Sequence, residues 1–542
     1  MKTNPEQHLD PVTFEVLKNS FVNLVDQMAE VMFRTCYSFA IYVHDFSSCL
    51  CDAQGNTVAQ GTQDIAVHVG TLHFTAQTCL QEFGRENINP GDVILFNDPF
   101  TGGTHFCDVR VVRPVFYEGE LIACTVVNGH WSDVGGSVPG SFDIQAVEYY
   151  REGMRITPIK IVEEGKLNQQ LVKLIISNMR VPAEREGDLK AQIEASRVGA
   201  EYLIGLCRKH GAETIKKAFA ECMDYVERMT RAEITKLSQG TYEADDFIDN
   251  DPGRPEEGLV RVHLALNIKE NEIIYDMTGT DPAVDCFLNS TYSGSYSACI
   301  TATKMAFPHV PLNSGFYRAV KMILPENSCV DAREPKAVAG FCSGAYEKMM
   351  NAAFACWSQI MPQRGLGSAY NLEYLLLGGM DNRPGYQRPF ICYDWLTGGW
   401  GGRYGKDGPA PLTPVFGVGL TNQPIEAHER LCPILVEKVE ILQDSCGPGK
   451  WRGGPGLEKT FRTHSSNRMV LSYCCDRERS VPLGVFGGGP GVPHGICLNP
   501  DTPQENYLGV TFSGYRLREE DVIWRPSSGG GGYGDPLERD SK

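Results

Sequence analysis

The sequence predicts a mixed α+β protein of several lobes, with several sheets flanked by helices and a β-rich C-terminal part. Three observations predict it. The chain has 542 residues, more than one ordinary domain holds, so about two to four units are expected. Apolar residues recur at helical spacing in two stretches before Gly240, while short β-type runs punctuated by Gly and Pro fill much of the remainder. The character then changes twice: to acidic turns and alternating strands past Gly240, and to strands between Gly-Pro turns over the last hundred or so residues. The lobes expected are 1–238, carrying a candidate metal site, 239–425, mixed α+β, and 426–542, β-rich.

The first helix is expected from Thr13 to Thr35, where Phe14, Leu17, Phe21, Leu24, Met28 and Met32 follow Pro11 at helical spacing. From Cys49 to Gln60 the pattern becomes strand, turn, strand, with Gly55-Asn56 at the turn. Short strands are expected at Val93–Phe96, Val109–Phe116 and Leu121–Val127, separated by the Gly- and Pro-bearing stretches 97–104 and 135–141. A second helical stretch starts near Leu167 and runs to about Leu237, broken at His210-Gly211. Further on, 259–268 reads as a strand, and 299–307 and 347–360 as helices. The stretch 386–423, dense in Gly, Pro and Trp, reads as loops around a cleft. No repeat of fixed period is present.

Composition narrows the classes. Hydrophobic residues at 42% and charged residues at 22% are ordinary globular values, which excludes global disorder. A formal charge of −17 argues against a general affinity for nucleic acid or for an anionic membrane. The 19 cysteines contain no C-x-x-C pair, so buried, reduced thiols are expected rather than a disulfide framework or a structural zinc cluster. Met1–Pro11 is polar, and no stretch approaches the ~20 apolar residues of a spanning helix, so a cytoplasmic location is expected.

Candidate ligands are densest in the first lobe. His105 and Asp108 stand three apart, His130 lies at the end of the next expected strand, and Asp45 lies in VHDFSS. A strand, loop and strand can bring His105, Asp108 and His130 to one sheet edge. Two imidazoles and one or two carboxylates suit Zn, Mn or Fe and leave a position for water, which the cation acidifies. His44, His68 and His73 are rivals on the same spacing, and Asp98 and Asp133 read equally well as turn residues. From spacing alone, ordinary capping and turn roles outweigh metal ligation.

No phosphate loop is found: Gly449-Lys450 is followed by Trp451, and the glycine run 529–532 leads into no expected helix. Flexible or tight-turn glycine is the expectation for that run. There is no serine nucleophile elbow, and no cysteine stands out as a nucleophile.

The segments HDFSSCLCDAQGNTVAQ, NDPFTGGTHFCDVRVVRPVF, GHWSDVGGSVPGSFDIQAVEYYREGMRITPIKI, TNQPIEAHE and GGGGYGDP, in this order and spread over nearly the whole chain, resemble the hydantoinase B / oxoprolinase family. The resemblance implies a metal-carrying B-type subunit that opens a small cyclic amide (a hydantoin, oxoproline or lactam). A partner A-type subunit of actin-like ATPase fold would use ATP and Mg to phosphorylate the substrate oxygen. Carried over motif by motif, it implies Asp45, His105, Asp108 and His130 as metal ligands and catalytic groups, with Zn or Mn as the cation. Three departures bear on the substrate: Tyr42-Val43-His44 stands where a charged pair is usual, VGTLHF follows His68 in place of a Met-Pro pair, and GHW replaces a double His. The last resembles the acetone/acetophenone carboxylase branch, so ATP-dependent carboxylation of a ketone is the alternative, and a non-catalytic scaffold the third. Trp131, Tyr149, Tyr150, Trp395 and Trp400 are pocket candidates, with core packing the commoner role. A dimer of heterodimers is expected, with Trp395–Gly405 lining a passage between subunits.

Overall fold

The computed structural model describes residues 8–249, 251, 254–464 and 469–540. Most of the polar opening stretch (1–7), and residues 250, 252 and 253 of the acidic turn after Gly240, lie outside them.

The first sheet is seven-stranded and holds β1 (Phe46–Asp52), β2 (Thr57–Gln60), β3 (Val93–Phe96), β4 (Asp108–Tyr117), β5 (Glu120–His130), β6 (Ile159–Glu163) and β7 (Lys166–Leu167), in the order β2-β1-β5-β4-β3-β6-β7. Its strands are buried on both faces and alternate between two cores. Leu50, Val109, Val111 and Val127 face the layer of α1 (Pro11–Thr35) and α5 (Pro182–His210), while Cys49, Cys51, Val112, Cys124 and Val126 face the other way, into the layer covered by α3 (Leu72–Phe83). Between α1 and β1 lies the short α2 (Phe39–Tyr42).

Helix α1 starts where Asp10 accepts a hydrogen bond from the Thr13 amide and Pro11 occupies the first turn. Leu17, Phe21, Leu24, Met28 and Met32 form its buried stripe. The second helical stretch is three helices: α4 (Gln169–Ile176), α5 (Pro182–His210) and α6 (Ala212–Ile234). Gly211, at φ +83°, separates the last two because a left-handed backbone position is cheap only for glycine.

The second sheet orders β8 (Gly240–Ile248), β9 (Val260–Lys269), β10 (Glu272–Asp276) and β11 (Val320–Ile323) as β11-β10-β9-β8. Around it lie α7 (Tyr292–Ala306), α8 (Ser314–Tyr317) and α9 (Glu347–Ile360). Helix α7 begins earlier than the periodicity suggests, because Thr291 caps it through the Gly294 amide and its first turn is Tyr-Ser-Gly-Ser.

The third sheet joins β12 (Tyr374–Asp381), β13 (Arg388–Asp394), β16 (Val470–Cys474) and β19 (Thr511–Arg516). The fourth joins β14 (Ile434–Ile441), β15 (Leu457–Thr463), β17 (Ile496–Leu498), β18 (Asn506–Gly509) and β20 (Val522–Pro526), with α10 (Ile425–Leu431) ahead of β14. The third sheet is a partition. Tyr374, Leu376 and Tyr393 point into the core shared with the first lobe, while Leu375, Leu377 and Cys392 point into the C-terminal core.

Two expectations are corrected. The stretch 386–423 is not all loop: β13 lies inside it, held by its ladder to β12. The glycine run is neither flexible nor a tight turn. Gly529–Gly532 is buried, and it runs among other glycine segments with backbone bonds from Gly402 N to Gly531 O (2.8 Å), Gly531 N to Ser368 O (2.9 Å) and Gly532 N to Gly489 O (2.8 Å). A Cβ on Gly453 would sit 1.9 Å from the Gly530 oxygen, and one on Gly399 1.8 Å from that of Gly454. Only glycine allows backbones to approach so closely. The Trp395–Gly405 stretch lies partly in this bundle: Gly399 and Gly401 pack on Gly454 and Gly367, and Trp400 donates its indole N–H to Thr413 O (2.8 Å), while Arg403–Gly405 is exposed.

Candidate functional site

Three neighbouring strand ends of the first sheet converge. Asp108 is the first residue of β4 and His130 the last of β5, and the two are direct cross-strand partners. Asp45 immediately precedes β1, whose Phe46 pairs with Gly129, and the Asp45 carbonyl accepts the His130 amide (3.0 Å). His105 enters from the turn before β4, in which the Asp108 amide donates to the His105 carbonyl (3.2 Å). The four predicted residues are thus brought to one place, all nearly inaccessible to solvent.

The separations are short. His105 Nδ1 lies 3.1 Å from Asp108 Oδ2, and His130 Nδ1 lies 3.6 Å from Asp108 Oδ1 and 3.8 Å from Asp45 Oδ2. Two donors at ~2.1 Å from one cation, at a tetrahedral angle, stand about 3.4 Å apart, so these separations suit a shared divalent ion. Asp108 Oδ1, which faces His130 Nδ1, is buried without a hydrogen-bond partner, a costly arrangement that a cation there would relieve; His105 Nε2 and His130 Nε2, on the opposite ring edges, are unpartnered too. By donor type and spacing, the residues present fit a Zn- or Mn-class cation.

The charges are arranged to keep an anion. Burial disfavours the Asp108 carboxylate, but His105 and His68 hold it well below its ordinary value. Asp45 is pushed up by burial, against the pull of His130 and His68. Burial lowers His105 despite Asp108 beside it, which favours the neutral imidazole a cation needs.

His68 was a rival ligand by spacing, and its role is different. Its Nε2 donates to Asp108 Oδ2 (3.1 Å) while its Nδ1 pairs with the Ser47 hydroxyl (3.0 Å), so both ring nitrogens are engaged and the ring orients Asp108 from behind. Thr104 also donates to Asp108 Oδ2. His44 and His73 stay outside: His44 stacks on Phe33, and burial holds His73, packed on Phe74, down to about 4. Asp98 binds Arg155 (2.6 Å) and the Phe100 amide, and Asp133 binds Arg180 and the amides of Gly135 and Gly140, so both are turn anchors.

Sequence reasoning missed the walls. Phe142 and Phe341 lie against His105, with ring centroids 5.9 and 5.3 Å away, and Tyr393 of β13 stacks on His130 at 5.1 Å. Cys107 was missed as well, its sulfur lying within 4.8 Å of donor nitrogens of His105 and His130. Burial, with Asp133 and Asp108 nearby, pushes its thiol well above the ordinary value, so the carboxylates are the readier donors. Of the five aromatic pocket candidates, Trp131 is core and bonded to Gln192, Tyr150 is exposed, Tyr149 packs on Phe100, Trp400 packs at the edge of the core, and Trp395 meets Tyr393 edge-on at 5.4 Å, one ring removed from His130. A second set of donors, Cys392, His428 and Cys432, lies on the far side of the third sheet.

The family profile described as hydantoinase B/oxoprolinase matches residues 10–536. The chain belongs to this family. The B subunit of a putative D-/L-hydantoinase from Pseudomonas sp. (strain NS671) is 30% identical over 98% of this chain and 91% of its own length. The beta subunit of caprolactamase from Pseudomonas jessenii is 29% identical over 98% and 92%. The crystal structure of ATP-dependent caprolactamase from the same organism superposes with a TM-score of 0.86 at 28% identity, over 98% of this chain and 92% of that one. Nucleotide-free acetone carboxylase shares the fold, with a TM-score of 0.91 at 18% identity over 99% and 78%. The mixed α+β architecture expected from the sequence is shared with these two solved structures. Among the described residues, no helix is long and apolar enough to cross a membrane.

Proposed function

We propose that this chain is the metal-carrying B-type subunit of an ATP-dependent amidohydrolase that opens a small cyclic amide activated in a partner A-type subunit. The observation that carries the reading is the meeting of Asp45, His105, Asp108 and His130 at cation spacing, with the buried Asp108 Oδ1 among them lacking a hydrogen-bond partner. The names of the relatives, one a hydantoinase component and one a caprolactamase component, support the substrate class and the need for a partner.

In this reading the 1–238 lobe holds a Zn or Mn ion through those four side chains, while 239–425 and 426–542 cover it. The ion would supply Lewis acidity and a lowered water pKa. The chain's own residues do the rest. His68 and Thr104 fix the Asp108 carboxylate, so its lone pairs do not reorganise during reaction. Phe142, Phe341 and Tyr393 exclude bulk water, which would hydrolyse an O-phosphorylated amide before productive attack. An unactivated amide is a poor electrophile, and phosphorylation by ATP and Mg in the partner makes its carbon reactive. That step needs a partner with a phosphate-binding loop, and the complex is best served by two-fold closure into a dimer of heterodimers.

Co-expression with an A-type ATPase subunit, followed by assay with hydantoins and lactams and, separately, with ketones plus bicarbonate, tests the reading. ATP-dependent ring opening is expected. Turnover of ketone and bicarbonate alone would replace it with carboxylation, and full turnover by a metal-free complex would leave this chain a scaffold.

A further inference from the structure

On the C-terminal side of the third sheet, Cys392 of β13 meets His428 of α10 and Cys432 just beyond that helix, with the ligating atoms within 4.8 Å of one another. Cys392 Sγ lies 2.8 Å from His428 Nε2. His428 Nδ1 lies 3.1 Å from Lys459 Nζ of β15, which is ion-paired to Asp394 (2.9 Å), itself bound by Arg525 of β20 (2.6 Å).

This chain of contacts fixes the proton on the ring. An ammonium only donates, so Nδ1 accepts from Lys459, and Nε2 then carries the hydrogen and aims it at the Cys392 sulfur. A histidine that binds a cation through Nε2 needs the opposite tautomer, its Nδ1–H donating to a carboxylate or carbonyl. Although the residue types would suit zinc, the lysine therefore points to a thiolate. Burial opposes ionisation of Cys392, but the Cys432 S–H directed at its sulfur and the neighbouring His428 outweigh it, bringing the thiol down to about 6. Cys432 is pushed well above its ordinary value by burial and by Cys392, so the pair shares one proton. Cys392 and Cys432, buried at 3% and 2% exposure, lie beside a surface cleft whose lining includes Tyr37, Glu184, Arg388 and Gln423.

We propose that Cys392 is a nucleophilic thiolate buried beside this cleft and a site of reversible oxidation by hydroperoxides, with Cys432 as the resolving thiol. The Cys392 sulfur attacks the terminal peroxide oxygen and the O–O bond breaks. The sulfur is oxidised by two electrons to sulfenic acid, and the alkoxide leaves and takes up the proton that Cys392 had released. The Cys432 sulfur then attacks Cys392. An S–S bond forms, the S–O bond breaks, and hydroxide leaves with the Cys432 proton as water. Two thiols and one hydroperoxide thus give one disulfide, one alcohol and one water.

The test uses the whole chain and involves neither ATP nor substrate, so its failure is separate from that of the proposed function. The reduced protein is treated with one equivalent of hydrogen peroxide and peptide-mapped without reduction. The expected product is a Cys392–Cys432 disulfide that dithiothreitol reverses, while Cys49 and Cys51, whose sulfurs are 3.5 Å apart but lack an imidazole, stay reduced. Alkylation of Cys392 should rise with pH through a midpoint near 6. In Cys432→Ser, a 1,3-dione should capture sulfenic acid at Cys392. If that variant does not fold, the wild-type disulfide map decides alone. Oxidation spread evenly over the cysteines, or zinc binding that Cys392→Ser reduces by one ion per chain, overturns the proposal.

Discussion

Tyr393 stacks on His130 with ring centroids 5.1 Å apart and planes inclined by 26°, while its neighbour Cys392 faces the opposite core. A strand from the third sheet thereby closes a site built on the ends of the first. Tyr393→Ala should leave the cation bound but admit water, so turnover of the complex falls by about tenfold or more with unchanged metal content. Equal loss of metal and turnover would show that the ring holds the ligands rather than the solvent barrier.

His105→Ala and Asp108→Asn should each lose most of their bound divalent ion while remaining folded by circular dichroism. His68→Ala removes a group that orients a ligand, so it should weaken the ion by about 10–100-fold yet reach one ion per chain at saturation. Equilibrium dialysis against Zn and Mn distinguishes the two behaviours, and equal affinities in all variants would dissolve the site.

The chain alone should neither hydrolyse ATP nor open a lactam, and adding the A-type subunit should confer both. ATP hydrolysis by the isolated chain at the rate of the complex would contradict the division of labour.

Arg525 is buried between Glu373 (2.6 Å) and Asp394 (2.6 Å). Arg525→Met should destabilise by about 3–5 kcal/mol near neutral pH, since it strips the buried Glu373 of its Arg525 ion pair and leaves Asp394 with Lys459 alone. Asp394 is depressed in the folded protein, burial notwithstanding, by Lys459, His428 and Arg525, so its contribution is present above the unfolded value and lost as pH falls through the folded one. Removing the arginine raises the folded value. The penalty should therefore shrink as the medium is acidified towards pH 4, and urea melts at several pH values would read this; a penalty that grew on acidification would refute it.

Gly453→Ala should be among the most damaging single-methyl additions, because the new carbon would meet the Gly530 carbonyl at 1.9 Å. A loss of at least ~3 kcal/mol or failure to accumulate soluble protein is expected. Gly205→Ala, in α5 with nothing within 4 Å, should be neutral or stabilising by about 0.5–1 kcal/mol. Thermal melts compare the pair directly.

Much of this was legible in the sequence where periodicity and chemistry coincide. The stripe from Leu17 to Met32, the hairpin around Gly55-Asn56 and the strands that follow Asp108 and precede His130 announce themselves. The register that makes Asp108 and His130 partners follows from a short hairpin. His68 was ambiguous because a short 3-10 turn, not a strand pattern, delivers it. Phe341 and Tyr393 were invisible as site walls because they arrive from more than 200 residues away. The burial of the glycine run was illegible for another reason: a residue without a side chain leaves no hydrophobic pattern to read.

Ser527–Tyr533 comes later in the chain than every segment it threads, from Gly367 through Gly399–Gly402 and Gly447–Gly456 to Gly484–Gly491. On a ribosome those segments emerge first and wait, backbone groups hydrated, for the strand that joins them. The bundle therefore closes after translation of its last member, whereas the hairpins bearing Asp45, Asp108 and His130 can pair as soon as they leave the tunnel. Early pairing at one end and late locking at the other make the C-terminal part of the molecule the part most exposed to chaperones and proteases during its birth.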